Sequence, residues 1–328
     1  MAILILLLLG ILVGIGYRHF TKEPEPEFVF TYAENQSEGY PTSMGAYYFA
    51  QLVRERTDGR IQIIVYPNAQ LGREADVINQ MRYGGIDFAR VSLSQLAEFD
   101  SKLNVLQMPY LYNDEKHMWK VLDGEIGELF LEEVESLELV GLSWYDAGAR
   151  SFYTKDKPIR KLEDMEGMKI RVQESEVMMD MVRCLGAEPV PLSYEVVYSA
   201  LELGTIDGAE NNWPSYEDTG HYKVAGYFCE DEHTRIPEMQ LCSSHTFNLL
   251  SETDQRIIRQ CAAESALYER ELWATRVSDS RNLVTGENVL ISSLSQLEKE
   301  RFREKMSPVY EKYCSEYMDL LEKIMNCE

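Results

Sequence analysis

The stretch 167–216, GMKIRVQESEVMMDMVRCLGAEPVPLSYEVVYSALELGTIDGAENNWPSY, constrains this chain more than any other. Lys169 to Val172 is a short extended run with Arg171 between the β-branched Ile170 and Val172. Val177, Met178, Met181, Val182 and Leu185 then recur with helical spacing, and Gly186 stops that helix. Glu188 to Leu192 fits a second strand whose two prolines keep it at a sheet edge. Ser193 is placed to cap a helix carrying Val196, Val197, Ala200, Leu201 and Leu203, which Gly204 closes. Ile206 to Ala209 begins a third strand that runs into Glu210, Asn211, Asn212 and Trp213. Strands alternating with helices imply a parallel sheet, and ligands on such sheets sit at the carboxyl ends of the strands. Arg171 and Asn211 fall near such ends, so a small anionic ligand is the expectation.

The same order occurs earlier in the chain. Phe28–Ala33 is a first strand, and Pro41-Thr42 opens a helix with Ala46, Phe49, Ala50, Leu52 and Val53 on its buried side. Ile61–Tyr66 is a second strand, a helix runs through Val77, Ile78 and Met81, and Ile86–Ser92 is a third. The third strands even begin alike, GGID at 84–87 and GTID at 204–207. A repeated unit of this length predicts two similar α/β lobes with a cleft between their sheet edges. Between the units, 117–130 has a helical pattern and Leu139–Trp144 is a strand. Beyond them, Met239–Cys242 is a strand, and Ile257, Cys261, Tyr268 and Leu272 mark one stripe of a helix over 252–281. That helix exceeds the usual length and is expected to lie across both lobes. Asn288–Ile291 is a late strand, and Ser307-Pro308 starts the last helix.

The net charge of -23 over 328 residues repels nucleic acid and anionic membrane surfaces. An anion site in such a field needs its own partly buried arginines. The first seventeen residues, MAILILLLLGILVGIGY, are apolar, and a polar EPEPE spacer follows. Residues 1–26 therefore read as an export segment, cleaved or kept as an anchor, which places the rest outside the cytoplasm. The six cysteines form no C-x-x-C pair and are expected as buried free thiols. Phosphate-binding loops, nucleophile elbows and zinc-protease motifs are absent, and the five histidines are scattered, so no cofactor, metal or catalytic machinery is expected.

Arginines at strand ends are the chemical signal. Arg171 stands alone on one face of its strand, where an internal ion pair and a ligand carboxylate are equal alternatives. Arg150 follows the small-residue run DAGA, which lets a backbone approach closely. Arg90, near the end of the first unit's third strand, reads first as structural. Glu34, Asn35 and Glu74 stand at loop or helix-start positions, where capping is the ordinary role. Trp213 and Tyr216 are either core aromatics or a stacking wall for a sugar ring.

Four runs in order, VYPNAQLGREADVINQMRYGGIDFA, GARSFYT, LEDMEGMKIRVQES and IDGAENNWPSY, resemble the solute-binding subunits of tripartite ATP-independent periplasmic (TRAP) transporters. The resemblance covers nearly all of the chain after residue 26. It implies a two-lobed fold like that of periplasmic binding proteins, each lobe a mixed, mostly parallel sheet flanked by helices, with a long helix across both. On that pattern residues 27–147 and 237–276 make one lobe and 148–236 and 277–328 the other. The family's carboxylate-clamping arginine matches Arg171, its second arginine Arg150 and its ligand-contacting asparagine Asn211; Glu74 stands where the family often has an acidic contact. The form DGAENNWPSY, with RVS after IDFA, is similar to the branch that binds hexuronates such as glucuronate and galacturonate. The implied protein is a monomeric extracytoplasmic receptor that hands a sugar acid to a TRAP membrane permease. An extracytoplasmic enzyme on sugar acids and a ligand-sensing domain are the alternatives, and the first of these needs an acid–base pair in the cleft.

Overall fold

The computed structural model describes residues 25–327. The export-segment reading of 1–26 thus falls almost wholly outside the described residues. In chain order the strands are β1 (Phe28–Ala33), β2 (Ile61–Tyr66), β3 (Phe88–Ser92), β4 (Leu139–Tyr145), β5 (Ala149–Thr154) and β6 (Lys169–Val172). They continue as β7 (Glu188–Pro191), β8 (Gly208–Asn211), β9 (Tyr227–Arg235), β10 (Glu238–Ser243) and β11 (Leu290–Ser292). Two sheets result, β2-β1-β3-β10-β4 and β11-β9-β5-β8-β6-β7.

Each sheet has a parallel side wound from one β-α-β-α-β unit. In the first, β1 pairs in parallel with β2 and β3; in the second, β6 pairs in parallel with β7 and β8. Helices Pro41–Arg56 and Glu74–Arg82 serve the first unit, and Glu176–Cys184 and Val197–Glu202 the second. The spacing of apolar residues explains the packing. Val177, Met178, Met181 and Val182 are all fully buried, and each such side chain stabilises the fold by roughly 1.5–3 kcal/mol relative to exposure.

On the other side of each sheet the strands that pass between the lobes pair antiparallel, and in the second sheet the edge strand β11 joins β9 in parallel. β4 belongs to the first sheet and continues through 146–148 into β5 of the second. β9 of the second continues through Ile236-Pro237 into β10 of the first. β10 pairs antiparallel with β3 and β4, and β5 with β8 and β9. The parallel winding expected from the sequence therefore accounts for half of the first sheet's pairings.

A third connection is the helix Glu252–Thr285, 34 residues long, with Ser251 Oγ accepting the Asp254 N–H at its start. Ile258, Cys261 and Ala262 enter the core of the first lobe and Val284 that of the second. Its middle is not apolar. Ser265, Glu269, Trp273 and Ser280 are buried there, while Tyr268 and Leu272, expected on the buried stripe, are half-buried. Close approach to the hinge favours small and hydrogen-bonding residues. A Cβ at Gly45 would lie 2.9 Å from the Tyr145 ring and 3.0 Å from Glu269 Cβ.

Three local expectations are corrected. The helix over 117–130 is two helices, Glu115–Leu122 and Glu125–Glu133, broken at Asp123-Gly124. A Cβ at Gly127 would overlap the Leu122 carbonyl, so the second helix packs directly on the end of the first. The helix from Ser307 is not the last, since Met318–Met325 follows. The helix Ser307–Cys314 touches both the 101–107 segment and the Glu176–Cys184 helix, and Tyr310 OH donates to Pro109 O at 2.7 Å. The six cysteines are free, four of them buried. Among the described residues no helix is long and apolar enough to cross a membrane.

Candidate functional site

The carboxyl ends of the parallel strands of both sheets face one another across a cleft. Arg171 leaves β6 into it, because its neighbours Ile170 and Val172 point into the apolar core. Its Nε and Nη2 both donate to the Leu192 carbonyl, at 2.9 and 2.7 Å. That fixes the guanidinium plane and leaves the remaining edge to the cavity. The side chain is 2% exposed, yet no carboxylate of the described residues pairs with it. Burial, with the nearby Arg150 adding, pushes its pKa below the ordinary arginine value. A buried cation without a counter-ion is costly unless something brings one.

Arg150 is held differently. Its Nε and Nη2 grip the two carboxylate oxygens of Glu210 on β8, the latter at 2.9 Å, and Nη2 also reaches Glu210 O at 3.0 Å. Behind Glu210 stands His233, fully buried and stacked on Phe152 at 4.2 Å. Its Nδ1 is 2.9 Å from Asp231 Oδ2 and its Nε2 is 3.6 Å from Glu210 Oε2. Burial opposes charge on the imidazole, but Asp231 and Glu210 outweigh it and raise its pKa to about 9. Burial likewise opposes the Glu210 carboxylate, and Arg150 and His233 outweigh it, lowering it to about 2. Asp231, His233, Glu210 and Arg150 thus form an alternating charge row that ends at the cavity wall.

On the first lobe Arg90, from β3, meets three carboxylates. Glu34 takes it through both oxygens, with Nε to Oε2 at 3.1 Å; Nη1 reaches Glu74 Oε1 at 3.1 Å and Glu238 Oε2 at 2.8 Å. Asn35 Oδ1 accepts from Nη2 as well. Glu74 also accepts the Ser92 N–H at 3.0 Å. One guanidinium among three buried acids leaves surplus negative charge. Burial, reinforced by Glu238, pushes the Glu74 carboxyl up to about 7.

Polar contacts close the cleft at its rim. Ser94 Oγ donates to Gln173 Oε1 at 2.7 Å, Gln95 Nε2 to Glu174 O at 3.1 Å, and the Glu176 N–H to Glu98 Oε1 at 2.9 Å. Deeper in, Tyr40 OH lies 2.8 Å from Ser215 Oγ. Each contact joins one lobe to the other.

Six of the eight residues singled out in the sequence line this cavity: Arg171, Arg150, Asn211, Glu74, Arg90 and Asn35. Glu34 lies behind them, its side chain wholly buried against Arg90. Trp213 is a correction. The Asn212 side chain caps the helix Trp213–Asp218 by accepting the Ser215 N–H. That turns the Trp213 ring onto Phe228, 3.8 Å away, within the second lobe's core rather than the cleft. Tyr216 is fully buried in the same cluster. Residues missed in the sequence include Glu238, Tyr194, Thr42 and Trp273. Glu238 alone had a signal, a polar residue at the start of an apolar strand. Trp273 sits in a helix whose marked stripe, Ile257, Cys261, Tyr268 and Leu272, passes it by.

Comparison with known proteins agrees with this geometry. Residues 32–316 match the family model DctP, bacterial extracellular solute-binding protein, family 7. A solute-binding protein of Chromohalobacter salexigens is 37% identical over 281 residues, 86% of this chain and 83% of that protein. A TRAP periplasmic solute-binding protein of Xanthobacter autotrophicus, solved with β-D-galacturonate, superposes with a TM-score of 0.89 at 37% identity, covering 91% of this chain and 100% of that one. A counterpart from Roseobacter denitrificans, solved with β-D-glucuronate, gives 0.89 and 37% over 92% of this chain and 100% of its own.

Proposed function

The chain belongs to the family-7 bacterial extracellular solute-binding proteins, the DctP family, and from that premise we propose that its cleft captures a hexuronate, glucuronate or galacturonate, for a TRAP membrane permease. The family is an extracellular, substrate-binding, non-enzymatic component of transport, and several of its named members are periplasmic. In this reading the protein works outside the cytoplasm, as the apolar N-terminal sequence implies.

The observation that carries the proposal is Arg171, buried and held by a carbonyl but without an acid of its own. The ligand carboxylate is its counter-ion. A planar guanidinium matches a carboxylate through two charge-assisted bonds, and a closed cleft strengthens them by excluding water. Arg150, neutralised and positioned by Glu210, presents fixed guanidinium N–H donors on the same side, and Asn211 offers its amide N–H groups beside it. Glu74 and Asn35, on the opposite lobe, take sugar hydroxyls. Arg90 and Glu34 brace that wall.

Thermal shift and calorimetry with D-glucuronate, D-galacturonate, the matching neutral hexoses and a C4-dicarboxylate test the reading. A uronate is expected to raise the melting temperature by mass action on the folded state, and the neutral sugar is not. Equal stabilisation by the hexose, or binding of the dicarboxylate alone, overturns the proposal.

A further inference from the structure

Buried polar atoms in this cavity are, with few exceptions, paired. Four exceptions line it, Gln36 Oε1, Thr42 Oγ1, Tyr194 OH and Trp273 Nε1, and the two on Thr42 and Trp273 are linked through Tyr40. Trp273 is 2% exposed, lines the cavity, and its Nε1 has no acceptor among the described residues. Thr42 is also 2% exposed and lines the cavity, and its Oγ1 likewise has no partner. Tyr40 joins the two, being two residues before Thr42 and in edge contact with the Trp273 ring at 5.7 Å.

Both side chains are held in place by their surroundings. The Trp273 indole passes over Gly148, where a Cβ would come within 3.0 Å of Nε1. Gly148 also has φ +60°, a conformation that disfavours any side chain. Thr42 stands in the first turn of the helix Pro41–Arg56, whose preceding residue, Tyr40, makes no side-chain cap. Free backbone N–H groups of that turn add further donors. An indole N–H can only donate. Left dry and unpaired it costs free energy, so its persistence at a ligand cavity calls for an acceptor that arrives with the ligand.

We propose that Trp273 and Thr42 form a second recognition point, which reads an oxygen of the sugar acid other than the carboxylate held by Arg171. The inference rests on the proposed uronate binding and deepens it. Trp273 comes from the long helix, so that helix contributes to specificity as well as joining the lobes. The oxygen read must be an acceptor, either a ring oxygen or a hydroxyl free to accept. An acid that is saturated and deoxygenated at that position leaves the indole unpaired and is disfavoured.

The test is calorimetry of the full chain with D-glucuronate and D-galacturonate, using Trp273→Phe and Thr42→Val, together with melting temperatures without ligand. Thr42→Val keeps shape and removes only the polar atom, whereas Trp273→Phe removes the indole N–H together with part of a buried ring. Each is expected to weaken the bound uronate about tenfold, the factor that 1.4 kcal/mol makes. The ligand-free melting temperature holds or rises in Thr42→Val, which loses only an unpaired buried atom, and falls in Trp273→Phe because the smaller ring leaves a cavity. A purely structural role leaves affinity unchanged in both variants and lowers the ligand-free melting temperature of Thr42→Val, and overturns the inference alone. If Trp273→Phe does not fold, Thr42→Val decides by the same readouts. A wild-type protein that binds neither uronate overturns the proposed function, and this inference with it.

Discussion

Arg171 and Arg90 are both buried arginines on the wall of one cleft, but their surroundings are opposite. Arg171 has a carbonyl and no acid; Arg90 has three acids and an amide. A buried charge already compensated has nothing left to give a ligand except geometry. An uncompensated one makes the empty site electrostatically incomplete. The number of counter-ions around an arginine, more than its burial, separates the bracing role from the binding role.

The largest effect is expected at Arg90. Arg90→Met leaves Glu34, Glu74 and Glu238 facing one another in a dry site, and breaking such a network costs about 3–5 kcal/mol of folding stability. Denaturant unfolding measures it. A loss of less than 1 kcal/mol would erase the contrast between the two arginines.

Next comes Arg171→Lys, which keeps charge and loses the planar fork. One lost charge-assisted bond is worth roughly 1.5–3 kcal/mol, about one to two powers of ten in uronate affinity. Stability should change little, because no acid is abandoned. Wild-type affinity in this variant would sink the clamp; a large drop in melting temperature would make Arg171 a second brace.

pH sharpens the comparison further. His233 holds its proton up to about 9 in the fold, against an ordinary value near 6.5. Its stabilising contribution is complete below that ordinary value and is lost as pH rises towards 9 and beyond. Glu74, pushed up to about 7, has the same sign over a lower window, since the folded state keeps a proton that the unfolded chain releases. Ligand-free melting temperature should therefore fall from pH 6 to pH 9. His233→Gln should flatten the upper part of that fall; an unchanged slope would remove His233 from the row behind Arg150.

The smallest effect belongs to the rim. Glu98→Ala removes the carboxylate that accepts the Glu176 N–H across the cleft. A partly exposed hydrogen bond of about 1 kcal/mol translates to roughly fivefold faster ligand release. Stopped-flow displacement reads this directly, and unchanged release would show that the rim contact does not hold the cleft shut.

The winding of both lobes was legible because strand and helix periods alternate without interruption, and glycines stand where each helix ends. Six of the eight residues singled out line the cavity for a related reason, since charged or amide residues at the ends of apolar strands have few other places to go. Trp213 was not. An aromatic beside polar residues looks the same whether it faces a ligand or Phe228, and the Asn212 cap that decides it is a three-dimensional fact. Trp273 and Glu238 were hidden for another reason. Their meaning depends on which segments cross the hinge, and the crossings join residues far apart in sequence.

Those crossings have a consequence for how the molecule is made. β10, which lies against β3, is separated from it by the whole of the second sheet's β5 to β9. As the chain emerges from its N-terminus, β3 has one unpaired edge until residue 243 has appeared. An open strand edge is a template for wrong pairing. A polypeptide stopped after Arg235 therefore carries a nearly finished second sheet beside an unfinished first one, and is expected to aggregate; neither lobe can be recovered as a contiguous fragment.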